Sequence, residues 1–270
     1  MQTYYSTAEF YIPYPTIVTI GMFDGVHLWH RKIIQDLVTR AQELDLESVV
    51  LTFWPHPREV LSGISIQCLT TIEEKIALME QLGVDHLIIQ DFTSAFAHMS
   101  AQDYMQTILV DQLHADIVMI WHDHRFGHDR GAGIEELAEF GYQHGFSVIQ
   151  IPVCEIDKVA ISSTVIREAL LSWQIIYANQ YLGYNYQLTG VAHLEHKFKD
   201  SFTVSFVIVD SHKLIPADGE YIIRVGEYDR KLVISHDGLE LYLIESKQQW
   251  VPERGDAVIF GEQMQIVFYW

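Results

Sequence analysis

Residues 20–30 read Ile20-Gly21-Met22-Phe23-Asp24-Gly25-Val26-His27-Leu28-Trp29-His30 and join an apolar run to a segment of helical periodicity. The apolar run before this loop predicts a buried strand, and the residues after it place apolar side chains on one face of a helix. Apolar runs and helical segments keep alternating as far as residue 151, which predicts an α/β fold with a parallel sheet and crossover helices. The predicted strands are Thr16–Ile20, Ser48–Phe53, His86–Ile89, Asp116–Trp121 and Phe146–Ile151.

The pattern of the sequence changes after about Gly183. Alternating segments separated by Asp-Gly, Pro and Gly turn signals predict a small antiparallel β domain at 184–270, after a first domain at 1–183. The predicted strands of the second domain are Thr203–Val209, Glu220–Val225, Lys231–Ser235, Leu239–Glu245 and Gln265–Tyr269.

Composition limits the classes of partner. The 270 residues are 49% hydrophobic and carry a formal net charge of −19, which excludes a mainly disordered chain and disfavours binding to nucleic acid or an anionic membrane. Cys68 and Cys154 have no metal-type spacing and are too few for a disulfide framework. The segment Met1–Phe10 does not resemble a signal peptide, and no apolar run approaches the ~20 residues of a membrane span. We therefore expect a soluble cytoplasmic protein.

The glycine-containing loop has a functional and a structural interpretation. Backbone N–H groups at a helix N-terminus favour an anion, and His27 and His30 can donate hydrogen bonds to phosphate oxygens. In the alternative interpretation the loop is a tight turn in which Gly21 and Gly25 supply backbone freedom and the histidines are merely exposed on the surface.

A second candidate stretch, Ile161-Ser162-Ser163-Thr164-Val165-Ile166-Arg167, opens a later helix. Its hydroxyl groups can cap the helix or bind a phosphate, and Arg167 has a guanidinium suited to bidentate phosphate contacts. Ordinary capping is the alternative. Because loops at the carboxyl ends of parallel strands meet at one edge of the sheet, we expect this stretch and the first loop to converge on one crevice.

Two further loops are expected to contact a substrate. Thr52-Phe53-Trp54-Pro55-His56-Pro57-Arg58 is a rigid loop that can form a wall for a flat ring, or else is a proline-stiffened connection with packed aromatic residues. The stretch from Trp121 to Gly131 is rich in His, Asp and Arg. A polar substrate loop is the preferred interpretation of this stretch, since its spacing matches no strong metal template, and no metal-ligating residue is predicted.

Together the four stretches resemble the bacterial bifunctional riboflavin kinase/FAD synthetase family, over roughly residues 16–182. That family has the ordered motifs GxFDGVHxGH, TFxPHPxEV, DxRFGxxRxG and ISSTxIR. The resemblance implies a Rossmann-like nucleotidyltransferase domain followed by a flavokinase β-barrel. It also implies FMN adenylyltransferase activity, in which AMP passes from ATP to FMN with Mg²⁺ assisting, so that FAD and pyrophosphate form.

The resemblance assigns roles to individual residues. His27, His30 and Arg167 would be catalytic, the two histidines by stabilising the triphosphate and the transition state. Three sets of residues would bind the substrates. The loop around ATP comprises Gly21, Phe23, Asp24 and Gly25; the departing phosphates are held by Ser162, Ser163 and Thr164 together with Arg167; and the flavin side comprises Phe53, Pro55, His56, Pro57, Arg58, Asp123 and Phe126.

The chain departs from the family at several positions. Trp29 replaces a glycine and Trp121 a small residue, and either indole can stack on a ring of the substrate or block its site. In the barrel, Val204 and Phe206 stand where the family has the Thr and Asn that serve Mg²⁺ and ATP, so we expect riboflavin kinase activity to be lost. Two alternatives to adenylyl transfer remain: a non-catalytic flavin- or nucleotide-binding relative that acts as a regulator, and nucleotidyl transfer to another phosphorylated acceptor.

Overall fold

The computed structural model describes residues 1–121, 125–128, 131–151, 155–156, 159–198, 201–225, 228–235, 238–243 and 263–268. The chain forms two compact units. The first comprises Met1–Ile66 and Ile72–Ile161, and the second comprises Gln67–Thr71 and Ser162–Trp270. The domain boundary at residue 183, which rests on the change in sequence pattern, stays a prediction.

A parallel six-stranded sheet forms the centre of the first unit and confirms the predicted α/β fold. In chain order its strands are β1 (Gln2–Tyr4), β2 (Thr16–Ile20), β3 (Glu47–Trp54), β4 (His86–Asp91), β5 (Ala115–Trp121) and β6 (Ser147–Ile151). In space the order is β1-β4-β3-β2-β5-β6. All five predicted strands are present, whereas β1 was not predicted; it pairs with β4 at one edge of the sheet. A two-stranded hairpin, β7 (Glu155–Ile156) and β8 (Val159–Ala160), lies near the end of this unit.

Helices follow the strands as the periodicity predicts. The first helix after the glycine-containing loop buries Ile33, Ile34, Leu37 and Ala41, because these positions share one face, and it ends at Asp45 in a left-handed conformation. The stretch Tyr104–Gln112 is π-helical. The α-helices of the first unit are α1 (Leu28–Leu44), α2 (Pro57–Ser62), α3 (Ile72–Gln81), α4 (Ser94–Ala97), α5 (Ala101–Asp103) and α6 (Ile134–His144).

The strand order creates a crevice beside β2. The chain runs from β2 to β3 and β4 on one side and then crosses to β5 and β6 on the other. The pairing of β2 with β3 continues to Ile20 opposite Leu51, but its pairing with β5 ends at Thr19 opposite Met119. Open α/β sheets bind ligands where neighbouring strands part in this way, outside their carboxyl ends. The loop from Gly21 to His27 begins at this point.

The second unit contains two helices and a closed antiparallel barrel, which confirms the expected β-barrel. The helices are α7 (Ser163–Leu171) and α8 (Ile175–Leu182), and the strands are β9 (Gln187–Phe198), β10 (Ser201–Ile208), β11 (Gly219–Val225), β12 (Tyr228–Ser235), β13 (Gly238–Leu243) and β14 (Gln263–Phe268). Around the barrel the order is β10-β13-β12-β11-β14-β9, and pairing of β9 with β10 closes it. Within the described ranges, every helix of the chain is too short or too polar to cross a lipid bilayer.

A buried tyrosine ties the second unit together. Tyr186 is fully buried, and its hydroxyl donates a hydrogen bond of 2.6 Å to the carbonyl oxygen of Leu214. The side-chain oxygen of Asn179 accepts a hydrogen bond from the backbone N–H of Tyr186 at 2.7 Å, and the Lys213 ammonium lies 4.5 Å from the centre of its ring. This residue therefore links α8, the start of β9 and the segment before β11.

We expect Tyr186→Phe to lower the free energy of unfolding by about 1–2 kcal/mol, since it removes a buried hydroxyl donor and leaves the ring in place. Tyr142→Phe is the matched control, because the side chain of Tyr142 is 91% exposed. Urea-induced unfolding of the full chain measures both changes. Equal stability of the two variants would contradict the expectation.

Candidate active site

The loop between β2 and α1 has a constrained backbone. Phe23, Gly25 and Val26 have positive φ angles of 47°, 80° and 35°. Glycine adopts such angles without steric cost, but a β-branched residue such as Val26 does so only when its surroundings hold it there. Both Phe23 and Val26 are buried, at 1% and 0% exposure. The loop is therefore held in one conformation by the packing beneath it.

Two side chains fix this loop by hydrogen bonds to one carbonyl group. The Met22 carbonyl oxygen accepts from the ammonium of Lys75 at 2.8 Å and from the hydroxyl of Thr52 at 3.1 Å. Lys75 is only 3% exposed. Lys75 is not among the predicted site residues. Its position indicates burial, because it shares one helix face with the buried Leu78 and Met79.

His27 and His30 stack at the start of α1. Their ring centres are 3.5 Å apart and their planes differ by 15°. His27 is the N-cap residue, and its Nδ1 accepts a hydrogen bond of 3.4 Å from the backbone N–H of His30. The two residues are 2% and 8% exposed. The alternative interpretation, in which they are exposed surface residues, is therefore wrong.

Burial keeps both imidazoles neutral. Desolvation lowers the pKa of His27 from 6.5 to about 4. It also lowers the pKa of His30 well below 6.5, and the charges of His27 and Lys75 add to this effect. Among the described residues, the Nδ1 atom of His30 has no hydrogen-bond partner. A neutral imidazole keeps one N–H donor, so each ring can donate a hydrogen bond to a phosphate oxygen without first gaining a proton.

Trp121 covers the histidine pair at the end of β5. Its ring centre is 5.7 Å from that of His30, in an edge-to-face arrangement, and 6.1 Å from that of Trp29. The indole N–H donates to the Ile20 carbonyl oxygen at 3.3 Å. A Cβ atom at Gly21 would lie 3.3 Å from the same indole nitrogen, so glycine allows this close approach. The indole therefore lies in the crevice between β2 and β5.

A cavity of about 570 Å³ opens beside this crevice. Its volume is in the range of small-molecule sites, and its walls are largely aromatic with arginine and histidine side chains among them. The cavity brings together many of the residues predicted for substrate binding: Gly21, Phe53, His56, Pro57, Arg58 and Phe126 line it. The wall also contains Arg125, which belongs to the predicted polar substrate loop, and residues outside the predicted set, among them Phe92, Phe96 and Tyr104.

Two predicted residues of the flavin side are not part of the described wall of this cavity: Pro55 lies next to the wall residue His56 in the chain, and Asp123 is not among the residues that the structure describes. Pro55 follows Trp54 through a cis peptide bond, one residue before His56. His56 caps α2 by accepting a hydrogen bond of 3.1 Å from the Arg58 backbone N–H. Asp123 lies outside the residues that the structure describes, as do the neighbouring histidines at 122 and 124.

Gly127 closes the cavity wall against α5. Its φ angle is +74°, and a Cβ atom there would lie 2.7 Å from the backbone nitrogen of Ala101. Phe126 beside it is buried and exchanges backbone hydrogen bonds of 3.1 and 3.3 Å with Ala132. These contacts hold Phe126 and Gly127 in place.

The residues predicted to hold the departing phosphates belong to the second unit. Ser162 is the N-cap of α7, and its hydroxyl accepts a hydrogen bond of 3.3 Å from the backbone N–H of Val165. Ser163 and Thr164 form the first turn, and Arg167 donates from Nε to the Gln67 carbonyl oxygen at 3.0 Å. Ser162 therefore caps the helix, and a role of this stretch in phosphate binding stays a prediction. Convergence of this stretch on the first loop stays a prediction.

The structure gives the backbone positions of the barrel residues that distinguish this chain. Val204 on β10 pairs with Leu241 on β13, and Ser205 pairs with Glu240. The side chains of residues 201–206 and 240 lie outside the description. Loss of kinase activity therefore stays a prediction.

Comparisons with known proteins show the family to which this chain belongs. Residues 11–165 match the family described as FAD synthetase. The bifunctional riboflavin kinase/FMN adenylyltransferase of Buchnera aphidicola subsp. Schizaphis graminum is 32% identical over 261 residues, which cover 93% of this chain and 84% of that protein. The protein of the same name from Listeria monocytogenes is 29% identical over 273 residues, covering 94% and 82%. A solved structure described as a macrolide-efflux protein from Streptococcus pneumoniae matches the fold with a TM-score of 0.80 at 24% identity, over 99% of this chain and 89% of that one.

The buried histidines predict a pH-dependent stability. Above pH 6.5 His27 is neutral in both the folded and the unfolded state. Between pH 6.5 and about pH 4 the unfolded chain binds a proton at this residue, whereas the folded chain does not. The free energy of unfolding therefore falls as the pH decreases through this window, by roughly 3 kcal/mol for His27 alone. We expect His27→Asn, which keeps a capping side chain, to flatten this slope.

Urea-induced unfolding at several pH values measures the slope. His144→Gln is the matched control, since it changes a histidine that is exposed on α6. Its slope should equal that of the unmodified chain. A His27→Asn slope indistinguishable from that of the control would refute burial as the cause.

Proposed function

The chain belongs to the FAD synthetase family and is a nucleotidyltransferase, and from this premise we propose that it transfers AMP from ATP to FMN to form FAD and pyrophosphate. The observation that carries the proposal is that the stacked His27 and His30 lie beside the 570 Å³ cavity, because Trp121 contacts His30 and also lines the cavity. A phosphate-binding loop and a pocket for a planar ring are the two parts that such a reaction needs.

In this reaction a phosphate oxygen of FMN attacks the α-phosphorus of ATP. The bond from that phosphorus to the bridging oxygen of the β-phosphate breaks in line, and pyrophosphate leaves with the electron pair. No side chain has to act as a nucleophile. The contribution of the protein is to position the two substrates and to stabilise negative charge as it moves between oxygens.

The neutral histidines suit this task. Nδ1 of His27 accepts the hydrogen bond from the His30 backbone, so its Nε2 carries the proton and can donate it in a hydrogen bond to a phosphate oxygen. Because the rings lie in a desolvated site, such hydrogen bonds are stronger than they are in water. Lys75 adds positive charge behind the loop, where it holds the Met22 carbonyl in place.

The cavity suits a flavin. Phe53, Phe92 and Phe96 form an edge-to-face cluster in its wall, with ring centres 5.6–5.7 Å apart, and a planar isoalloxazine can pack against such rings. Arg58 and Arg125 line the same cavity and supply positive charge for the phosphate group of FMN. We propose that Asp123 also contacts the flavin.

The remaining parts of the proposal concern magnesium and the second unit. Within the described ranges no cluster of three His, Cys, Asp or Glu side chains is close enough to hold a metal ion. We therefore place Mg²⁺ on the triphosphate, whose charge it neutralises, as this ion commonly binds through substrate phosphates. Ser162, Ser163, Thr164 and Arg167 are proposed to bind the departing pyrophosphate.

We further propose that the partners of this protein are small molecules rather than nucleic acid. A net charge of −19 opposes association with a polyanion, so the phosphate groups of ATP and FMN have to be bound by local donors. The expected cytoplasmic location stays a prediction.

One observation favours a second candidate function. The histidine pair is covered by indole in this structure, as it would be in a relative that binds a flavin and no longer catalyses the reaction. Such a protein would form no FAD, but FMN would still raise its melting temperature.

We expect the full chain to form FAD from ATP, Mg²⁺ and FMN, and His30→Gln to lower kcat by about 10²–10³-fold, because one preorganised donor is lost. His27→Asn should have a similar effect, and His144→Gln should have none. Chromatography of FAD and pyrophosphate measures turnover, and melting temperatures verify that the variants fold. Full activity in both active-site variants would show that His27 and His30 are not the catalytic residues. If no FAD forms but FMN stabilises the chain, the binding-only function is correct.

We also propose that riboflavin is not phosphorylated by this chain. Val204 and Phe206 offer no oxygen to a hard cation, so the barrel lacks two groups that the resemblance assigns to Mg²⁺ and ATP. Incubation with riboflavin, ATP and Mg²⁺ is expected to give no FMN under conditions in which FMN is converted to FAD. Measurable FMN formation would overturn this part of the proposal.

A further inference from the structure

Three aromatic rings surround the indole of Trp121. The centre of its ring lies 5.7 Å from that of His30, 6.1 Å from that of Trp29 and 6.2 Å from that of Phe23. The indole also forms part of the cavity wall, next to Gly21. Trp121 therefore packs against His30 and also lines the open cavity, whereas the cavity wall as described includes neither His27 nor His30.

Both histidines present little surface to a phosphate in this structure. His27 and His30 are 2% and 8% exposed, and hydrogen bonding to phosphate requires direct contact with a ring nitrogen. Burial removes the water that would form a hydrogen bond with Nδ1 of His30, and no described protein group takes its place. A buried polar atom without a hydrogen bond costs free energy. Such a cost is tolerable where a ligand group later satisfies the atom.

Phe23 and Trp121 both cover His30, but only Trp121 is suited to move. The ring of Phe23 is 1% exposed and belongs to a residue held at a φ angle of 47°. Trp121 is partly exposed, and its indole hydrogen bond to Ile20 is long, at 3.3 Å. Its backbone pairs with Ile151 on β6, so the side chain can rotate while the strand stays in place.

We propose that Trp121 determines access to the nucleotide site: its indole occupies the crevice between β2 and β5, and the phosphates of ATP displace it when they bind at His27 and His30. This inference rests on the proposed function, because it concerns the same site. In this proposal the FMN cavity is preformed, whereas the ATP site opens only when free energy is spent on displacing the indole. Trp121 is not a catalytic residue in this proposal, because it limits access to the histidines and takes no part in the reaction.

The cost has a measurable consequence for affinity. A ligand that binds only the open state has a dissociation constant raised by the reciprocal of the open fraction. If the indole is displaced in a tenth or less of the molecules, Trp121→Ala should tighten Mg·ATP binding by about tenfold or more, whereas FMN affinity should change far less. Stacking of the indole on the adenine ring predicts the opposite sign, since its removal would then weaken ATP binding.

Two measurements test the inference without requiring turnover. Isothermal titration calorimetry gives the dissociation constants of Mg·ATP and FMN for the unmodified full chain and for Trp121→Ala. Labelling with diethylpyrocarbonate, followed by peptide mass spectrometry, gives the reactivity of His30. At about pH 8 both histidines are neutral in every variant, so the labelling rate reports access and not protonation. We expect Trp121→Ala to raise the His30 labelling rate by about tenfold.

Two further variants complete the design. Trp121→Phe keeps an aromatic cover but removes the hydrogen bond to Ile20, so its labelling rate should lie between those of the other two proteins; it also serves if Trp121→Ala fails to fold. Trp173→Phe is the matched control, because Trp173 is a tryptophan of the other compact unit whose indole likewise donates to a backbone carbonyl, that of Asp218 at 2.7 Å. This control should match the unmodified chain in both assays.

The outcomes separate this inference from the proposed function. Unchanged labelling and ATP affinity in Trp121→Ala, in a chain that makes FAD, would overturn the inference alone. Weaker ATP binding in that variant would show that the indole stacks on the adenine ring, and would overturn the inference. If ATP binds, His30 becomes reactive in Trp121→Ala and yet no FAD forms, the proposed function fails while the role of Trp121 stands. Absence of ATP binding in all variants would overturn both.

Discussion

The parting of strands β2 and β5 is the constraint on which the candidate site depends. Up to Thr19 the two strands are paired, and beyond it β2 is paired only with β3 while the chain turns into the glycine-containing loop. A parallel sheet has to leave such a gap where its connections change direction. The histidine pair, the covering indole and the mouth of the cavity all lie at that gap. Strand order, set by ordinary apolar packing, thus decides where the polar chemistry can be.

Burial of polar groups defines the character of this site. Neutral imidazoles behind an indole, a lysine directed at a carbonyl and a loop with positive φ angles each cost free energy in isolation. The surrounding core compensates for this cost: every residue of β2 is buried, and so are most of those of β3. Low dielectric then makes the few hydrogen bonds of the site strong. In the proposed function, a chain with a net charge of −19 binds the phosphates of ATP through the neutral imidazoles of His27 and His30.

Much of this arrangement can be predicted from the sequence, because strongly apolar runs such as Thr16–Ile20 have only one interpretation in an α/β pattern. The first strand is different: Gln2–Tyr4 is short and polar, and only its pairing with β4 makes it a strand. The helix face that Lys75 shares with Leu78 and Met79 indicates burial, but its hydrogen bond to the Met22 carbonyl oxygen has no sequence signature. His30 packs against an indole about ninety positions later in the chain, and contacts at that separation leave no periodicity to detect.

Gly127 has a consequence for how this cavity can change. The position excludes every side chain, because its backbone conformation is left-handed and α5 lies where a Cβ atom would be. The loop and the π-helical stretch that follows α5 therefore cannot shift independently. Substitutions that alter the shape of the cavity are tolerable on the α2 and α4 side, where Leu61 and Ala97 contribute to the wall. Efforts to redesign the acceptor preference of this fold should diversify that side and leave the glycine fixed.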